Sequence, residues 1–142
     1  MAAASLLAQN NVLTVNTPMK VSGKRGESIA VKLSAHLNDG YHCNSDKPSD
    51  EYMIPLKLTW NKDTVETQSI VFPPPKHEKY AFAERPLAVY TGSFDIESKL
   101  KILPHAPTGP GLLTAKLRYQ ACTDKMCLPP KTIDVKIPFE AH

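Results

Sequence analysis

Ser28–Leu37, SIAVKLSAHL, alternates without a break: Ile29, Val31, Leu33, Ala35 and Leu37 fall on one side, Lys32, Ser34 and His36 on the other. A period of two belongs to a β-strand with one face in a core and the other in water. TIDVKIPF (132–139) repeats the pattern, with Ile133, Val135, Ile137 and Phe139 opposing Thr132, Asp134, Lys136 and Pro138. MIPLKLTW (53–60) sets Ile54, Leu56, Leu58 and Trp60 against Pro55, Lys57 and Thr59, which makes Trp60 a core residue. Weaker candidates are NVLTV (11–15), TVETQSIVF (64–72), LAVYTGSFDI (87–96) and GLLTAKLRYQA (111–121). No window sustains the 3.6-residue apolar stripe of a helix. Short strands separated by turn residues, in a chain with 13 prolines and 6 glycines, predict an all-β fold. The expected form is an immunoglobulin-like antiparallel β-sandwich.

The 142 residues suit a single domain spanning 1–142, without internal repeat or linker. The opening MAAASLLAQNN has no basic region and too short an apolar run for a secretion signal, so residues 1–10 are expected to be disordered, artificially appended or the stub of a removed signal. No apolar stretch approaches the length of a membrane span. A 42% hydrophobic and 22% charged composition is that of an ordinary globular protein, and a net charge of +3 without a basic run argues against nucleic acid.

Two segments stand apart from the strands. DGYHCNSDKPSDEY (39–52) is polar and turn-rich, and FPPPKHEKYAFAERP (72–86) opens on three prolines that cannot donate to a ladder. Long loops in a compact domain more often carry function than not. Tyr80 and Phe82 sit in the second loop among Glu78, Lys79, Glu84 and Arg85, where no core periodicity calls for them.

The chemistry concentrates in YQACTDKMCLPP (119–130). Continuing the alternation of Leu113, Ala115, Leu117, Tyr119 and Ala121 puts Cys122 with the solvent-side residues Lys116, Arg118 and Gln120. That parity is wrong for a staple between the inner faces of a sandwich. A bridge closing so short a loop also removes only about 2 kcal/mol of unfolded-chain entropy. A structural metal site wants four ligands, commonly in two local pairs, and His36, His42, His77, His105 and His142 are scattered. Thiol–disulfide exchange is the third reading: a pair at an exposed strand–turn–strand junction, one sulfur meeting a partner and the other resolving the mixed disulfide. Arg118 and Lys125 favour a thiolate and Asp124 opposes it. Cys43, the odd cysteine, reads as a filler of a small apolar slot at a strand end, and His42 as a surface or turn histidine.

YQACTDKMCLPP, together with DGYHCNSDKPSDEYMIPLKL upstream, resembles the N-terminal periplasmic domain of the thiol–disulfide interchange protein DsbD, from about Lys20 to Phe139. The resemblance implies a thiol–disulfide oxidoreductase of the bacterial periplasm with an immunoglobulin-like fold, linked to electron transfer and cytochrome c biogenesis. It implies a redox-active pair at Cys122 and Cys127, with Cys127 forming the mixed disulfides. By the same resemblance the proline-led loop, through His77, Glu78, Tyr80 and Phe82, caps the pair, and His42, Tyr119, Gln120 and Asp124 surround it. The implied partners are thioredoxin-like redox proteins as donor and acceptor. A monomer is expected, without cofactor or metal, tethered to a membrane reductase if a longer parent exists. Two rivals are a non-catalytic β-sandwich binding module with a structural disulfide, and a metal carrier using both cysteines with His42 or Cys43.

Overall fold

The computed structural model describes residues 12–142, so the expectation for residues 1–10, and Asn11 at the head of NVLTV, lie outside the described residues. The elements are β1 (Leu13–Asn16), β2 (Val21–Gly23), β3 (Ser28–Leu37), β4 (His42–Asn44), β5 (Lys57–Trp60), β6 (Val65–Val71), β7 (Lys76–Glu78), β8 (Leu87–Tyr90), β9 (Ser93–Ile102), β10 (Gly109–Tyr119), β11 (Ala121–Cys122) and β12 (Lys131–Ala141). There is no helix among the described residues, and so none long and apolar enough to cross a membrane.

Two four-stranded sheets make the sandwich, in orders β1-β3-β9-β6 and β2-β12-β10-β5. The pairing is antiparallel except where β12 runs parallel to β2. Their inner faces are the predicted ones. Val31, Leu33, Ala35 and Leu37 of β3 meet Leu113, Leu117, Val135, Ile137 and Phe139 of the opposite sheet in one buried cluster. Trp60 is in that cluster, and its indole Nε1 crosses the core to donate to Ser98 Oγ at 2.8 Å. The fold is the expected all-β, immunoglobulin-like sandwich.

The differences from the sequence expectation have local causes. MIPLKLTW pairs only over its second half, since Pro55 has no amide to donate and Leu56 N turns instead to the Ser45 carbonyl at 3.2 Å. LAVYTGSFDI is not one strand but two, broken at Gly92, whose φ of +63° suits a residue without Cβ. The break sends Leu87–Tyr90 into a third small sheet, β11-β4-β8-β7, that the alternation did not reveal. Its members are two to four residues long, too short for a period to register.

Ser98 is a polar residue in an apolar face, and its one visible task is to accept from Trp60. Ser98→Ala should therefore strand a buried indole N–H and destabilise the domain by about 1–3 kcal/mol. Urea unfolding followed by Trp60 fluorescence reads this directly; an unchanged midpoint would remove the bond from the energetics of the core.

Candidate functional site

β10, an inner strand of the second sheet, gives out at Tyr119. Gln120 belongs to no strand, and its Nε2 donates to the Leu128 carbonyl at 3.1 Å. Past it, Ala121 and Cys122 pair with Cys43 and His42 of β4 in the third sheet. The chain then reverses through Thr123–Met126. Thr123 N donates to the Met126 carbonyl at 2.7 Å, and Thr123 Oγ1 accepts from the amides of Lys125 and Met126 at 3.2 and 3.1 Å. A hydroxyl capping its own turn is common turn chemistry. Leu128 N returns to the Ala121 carbonyl at 2.8 Å, so the hairpin sets Cys122 opposite Cys127, and the two are disulfide-bonded.

The two sulfurs are unequally placed. Cys127 is exposed, whereas Cys122 is only 2% exposed. The expectation that parity exposes Cys122 is thus corrected. Cys122 does face away from the sandwich core, which includes Ala121 and Cys43 but not Cys122. Yet that outer face is roofed over.

Over His42, the ladder neighbour of Cys122, the cover is aromatic. Alternation along the third sheet gathers Cys122, His42, Asn44, Val89, Leu87 and Glu78 on one face, and Ala121, Cys43, Tyr90, Ala88 and His77 on the other. Tyr80 stacks on His42 with ring centroids 4.1 Å apart, and Phe82 stacks on Tyr80 at 5.5 Å. Tyr80 Oη donates to Glu78 Oε2 at 2.9 Å. The loop is turned by Ala83 N on the Tyr80 carbonyl and clamped by Arg85 to Asp50 of the 39–52 segment. Under this cover a cleft of about 1110 Å³ is lined by His42, Asn44, Phe82, Gln120, Cys122 and Cys127.

The predicted surroundings therefore divide. Phe82 and Gln120 line the cleft together with the pair, while Glu78 and Tyr80 gather around His42. His77 lies on the opposite face of β7 and is exposed. Tyr119, expected beside the cysteines, is instead a core residue whose hydroxyl is pushed above its ordinary pKa by burial. Asp124 is exposed in the turn and borders a smaller pocket with Glu78, Tyr80 and His42. His42 is no surface histidine: it is 3% exposed, and burial lowers its pKa below 6.5, with the Glu78 charge pulling the other way. Cys43 is free and wholly buried, its thiol pushed up to about 12 by burial, so it fills a slot and is chemically quiet. Asn44, not foreseen, is held by its Nδ2 on the Ile54 carbonyl at 3.0 Å; its signal was its place two residues from His42. Among the described residues no three His, Cys, Asp or Glu side chains converge as a metal cage requires.

A family model for the N-terminal region of thiol:disulfide interchange protein DsbD matches residues 9–138. No curated protein matches in sequence. The N-terminal periplasmic domain of ScsB from Proteus mirabilis shares the fold at a TM-score of 0.61 and 15% identity, over 93% of this chain and 47% of that one. The chain thus spans about half the length of that relative. A component of a type I cohesin–dockerin complex from Clostridium thermocellum shares it at a TM-score of 0.51 and 13% identity, over 93% of this chain and 100% of that one.

A histidine held neutral by burial ties stability to pH. The unfolded chain takes the proton near pH 6.5 and the folded one resists it, so this part of the stability is complete above pH 6.5 and drains away as pH falls towards the lowered native pKa. Comparing urea midpoints of the wild type and His42→Phe between pH 7.5 and 5 should show the wild type losing more. Parallel curves would mean His42 is not held neutral.

Proposed function

The chain belongs to the DsbD N-terminal family of thiol:disulfide interchange domains, and on that premise we propose that it is a periplasmic electron shuttle working through Cys122 and Cys127. The observation that carries this reading is the disulfide whose one sulfur is open and whose other is roofed. A thiolate of a thioredoxin-like donor attacks Cys127 Sγ, and Cys122 leaves. A second donor thiol attacks the mixed disulfide, frees Cys127 and carries the bridge away. The reduced pair then repeats the exchange in reverse on an acceptor: Cys127 attacks its disulfide, Cys122 resolves, and the acceptor departs as a dithiol. In the same reading the domain is tethered to a membrane reductase in a longer parent protein, and its donor and acceptor are thioredoxin-like redox proteins.

The aromatic loop serves as the cap. A reduced pair in an oxidising compartment needs protection, and Tyr80 and Phe82 lie over His42, the ladder neighbour of Cys122. Ring stacking of this kind is worth about 0.5–1.5 kcal/mol, enough to hold a cap closed and little enough for a partner's interface to displace it. Phe82, 49% exposed, offers that partner an apolar rim beside Cys127.

Two experiments test this. With Cys122→Ser, Cys127 should trap a mixed disulfide with a thioredoxin-like protein, while Cys127→Ser should trap at least tenfold less; equal trapping would take the leading role from Cys127. Replacing both Tyr80 and Phe82 by Ala should speed alkylation of reduced Cys127 several-fold with the circular dichroism spectrum unchanged. An unaltered rate in a folded variant would mean the loop is no cap.

A further inference from the structure

The exchange just described leaves one step without a chemical agent. When Cys122 resolves a mixed disulfide it must first lose a proton, because the thiolate is the nucleophile. Cys122 is buried at 2% exposure, an environment that disfavours a charged sulfur and keeps bulk water away. Cys127 is exposed and has no such difficulty.

His42 occupies the place such an agent would need. It is the direct cross-strand partner of Cys122 in an antiparallel pair, on the same face, where Cβ atoms lie about 4.5–5.5 Å apart. Both side chains line the same cleft. Tyr80 holds one face of the imidazole at 4.1 Å and 16° between planes, which fixes the ring without occupying its edge. The ring makes no side-chain hydrogen bond among the described residues, and none of its nitrogens is sealed off unpaired. The ring is thus not sealed in, and His42 lines the cleft that it shares with Cys122.

Building on the shuttle reading, we propose that His42 is the general base for Cys122. In the acceptor-reducing direction the neutral imidazole takes the Cys122 proton. The Cys122 sulfur attacks Cys127 Sγ, the Cys122–Cys127 bond forms, the bond from Cys127 to the partner breaks, and the departing partner sulfur receives the proton from His42 directly or through water. The domain is oxidised by two electrons and the partner reduced by two. In the donor-receiving direction the imidazolium protonates Cys122 as it leaves. The charged and titratable groups facing His42 bear on its readiness. Glu78 and Tyr80 lie on the cap side, Asp39 and Asp124 in the smaller pocket, and Asp50, Glu84 and Arg85 along the larger cleft. The ring's depressed pKa leaves it unprotonated, and thus able to accept, at neutral pH.

Single-turnover reaction of the reduced domain with dithiobisnitrobenzoate, whose two halves absorb on release, separates the steps. The first release reports attack by Cys127 and the second reports resolution by Cys122. For the wild type the second phase should fall off with acid as His42 is protonated. In His42→Phe, which keeps a ring for Tyr80 to stack on, the first phase should stay within about twofold. The second should slow at least tenfold at pH 7 and climb with pH as the unaided thiol ionises. Glu78→Gln, which keeps an acceptor for Tyr80 but removes the charge that supports imidazolium, should move the wild-type inflection to lower pH. In His42→Ala, added imidazole should restore the second phase without changing the first. A second phase in folded His42→Phe with wild-type rate and pH profile, or an inflection unmoved in Glu78→Gln, overturns the assignment. A wild type that releases neither half overturns the shuttle reading itself, so the two failures differ.

Discussion

The pairing of two residues, Ala121 and Cys122, with Cys43 and His42 governs everything at the working end of this molecule. A sandwich strand that simply ran on past Tyr119 would present its next outward residue to water. Gln120 interrupts the strand, anchors itself on the Leu128 carbonyl, and hands the chain to a different sheet. From that transfer follow the hairpin that opposes Cys122 to Cys127, the histidine beside the buried sulfur, and a face over which an aromatic loop can lie. The sandwich proper supplies rigidity and takes no part in the chemistry.

How much of this was legible depended on segment length. SIAVKLSAHL and TIDVKIPF are long enough for a period of two to declare itself, and their inner residues are the core. HCN, KHE and AC are not, and by pattern alone they read as loop or as the tail of another strand. The parity of Cys122 shows where the limit lies. Alternation correctly gave the direction in which the side chain leaves the core, but whether that direction ends in water depends on distant residues, among them its ladder partner His42, which no local pattern connects to it. His42 failed for the same reason: a polar stretch reads as surface until a distant ring covers it. The family motif, by contrast, identified the cysteine pair at once, because the ring closes within a handful of residues.

The aromatic loop and the strands beside it are also coupled electrically. Tyr80 Oη donates a hydrogen bond to Glu78, Glu78 holds its charge near His42, and His42 stands beside Cys122. On the shuttle reading, a partner that displaces Tyr80 from His42 alters the surroundings of the imidazole and of the sulfur beside it, as well as the path to Cys127.

The third sheet is built of strands two to four residues long, whereas β3, β9, β10 and β12 run ten or eleven. Such a body has two tiers of cooperativity. The long ladders share their hydrogen bonds over many residues and open only with global unfolding, while the short ones can open in a sub-global excursion that costs far less. The molecule can thus loosen its site to admit a visitor while its scaffold stays intact.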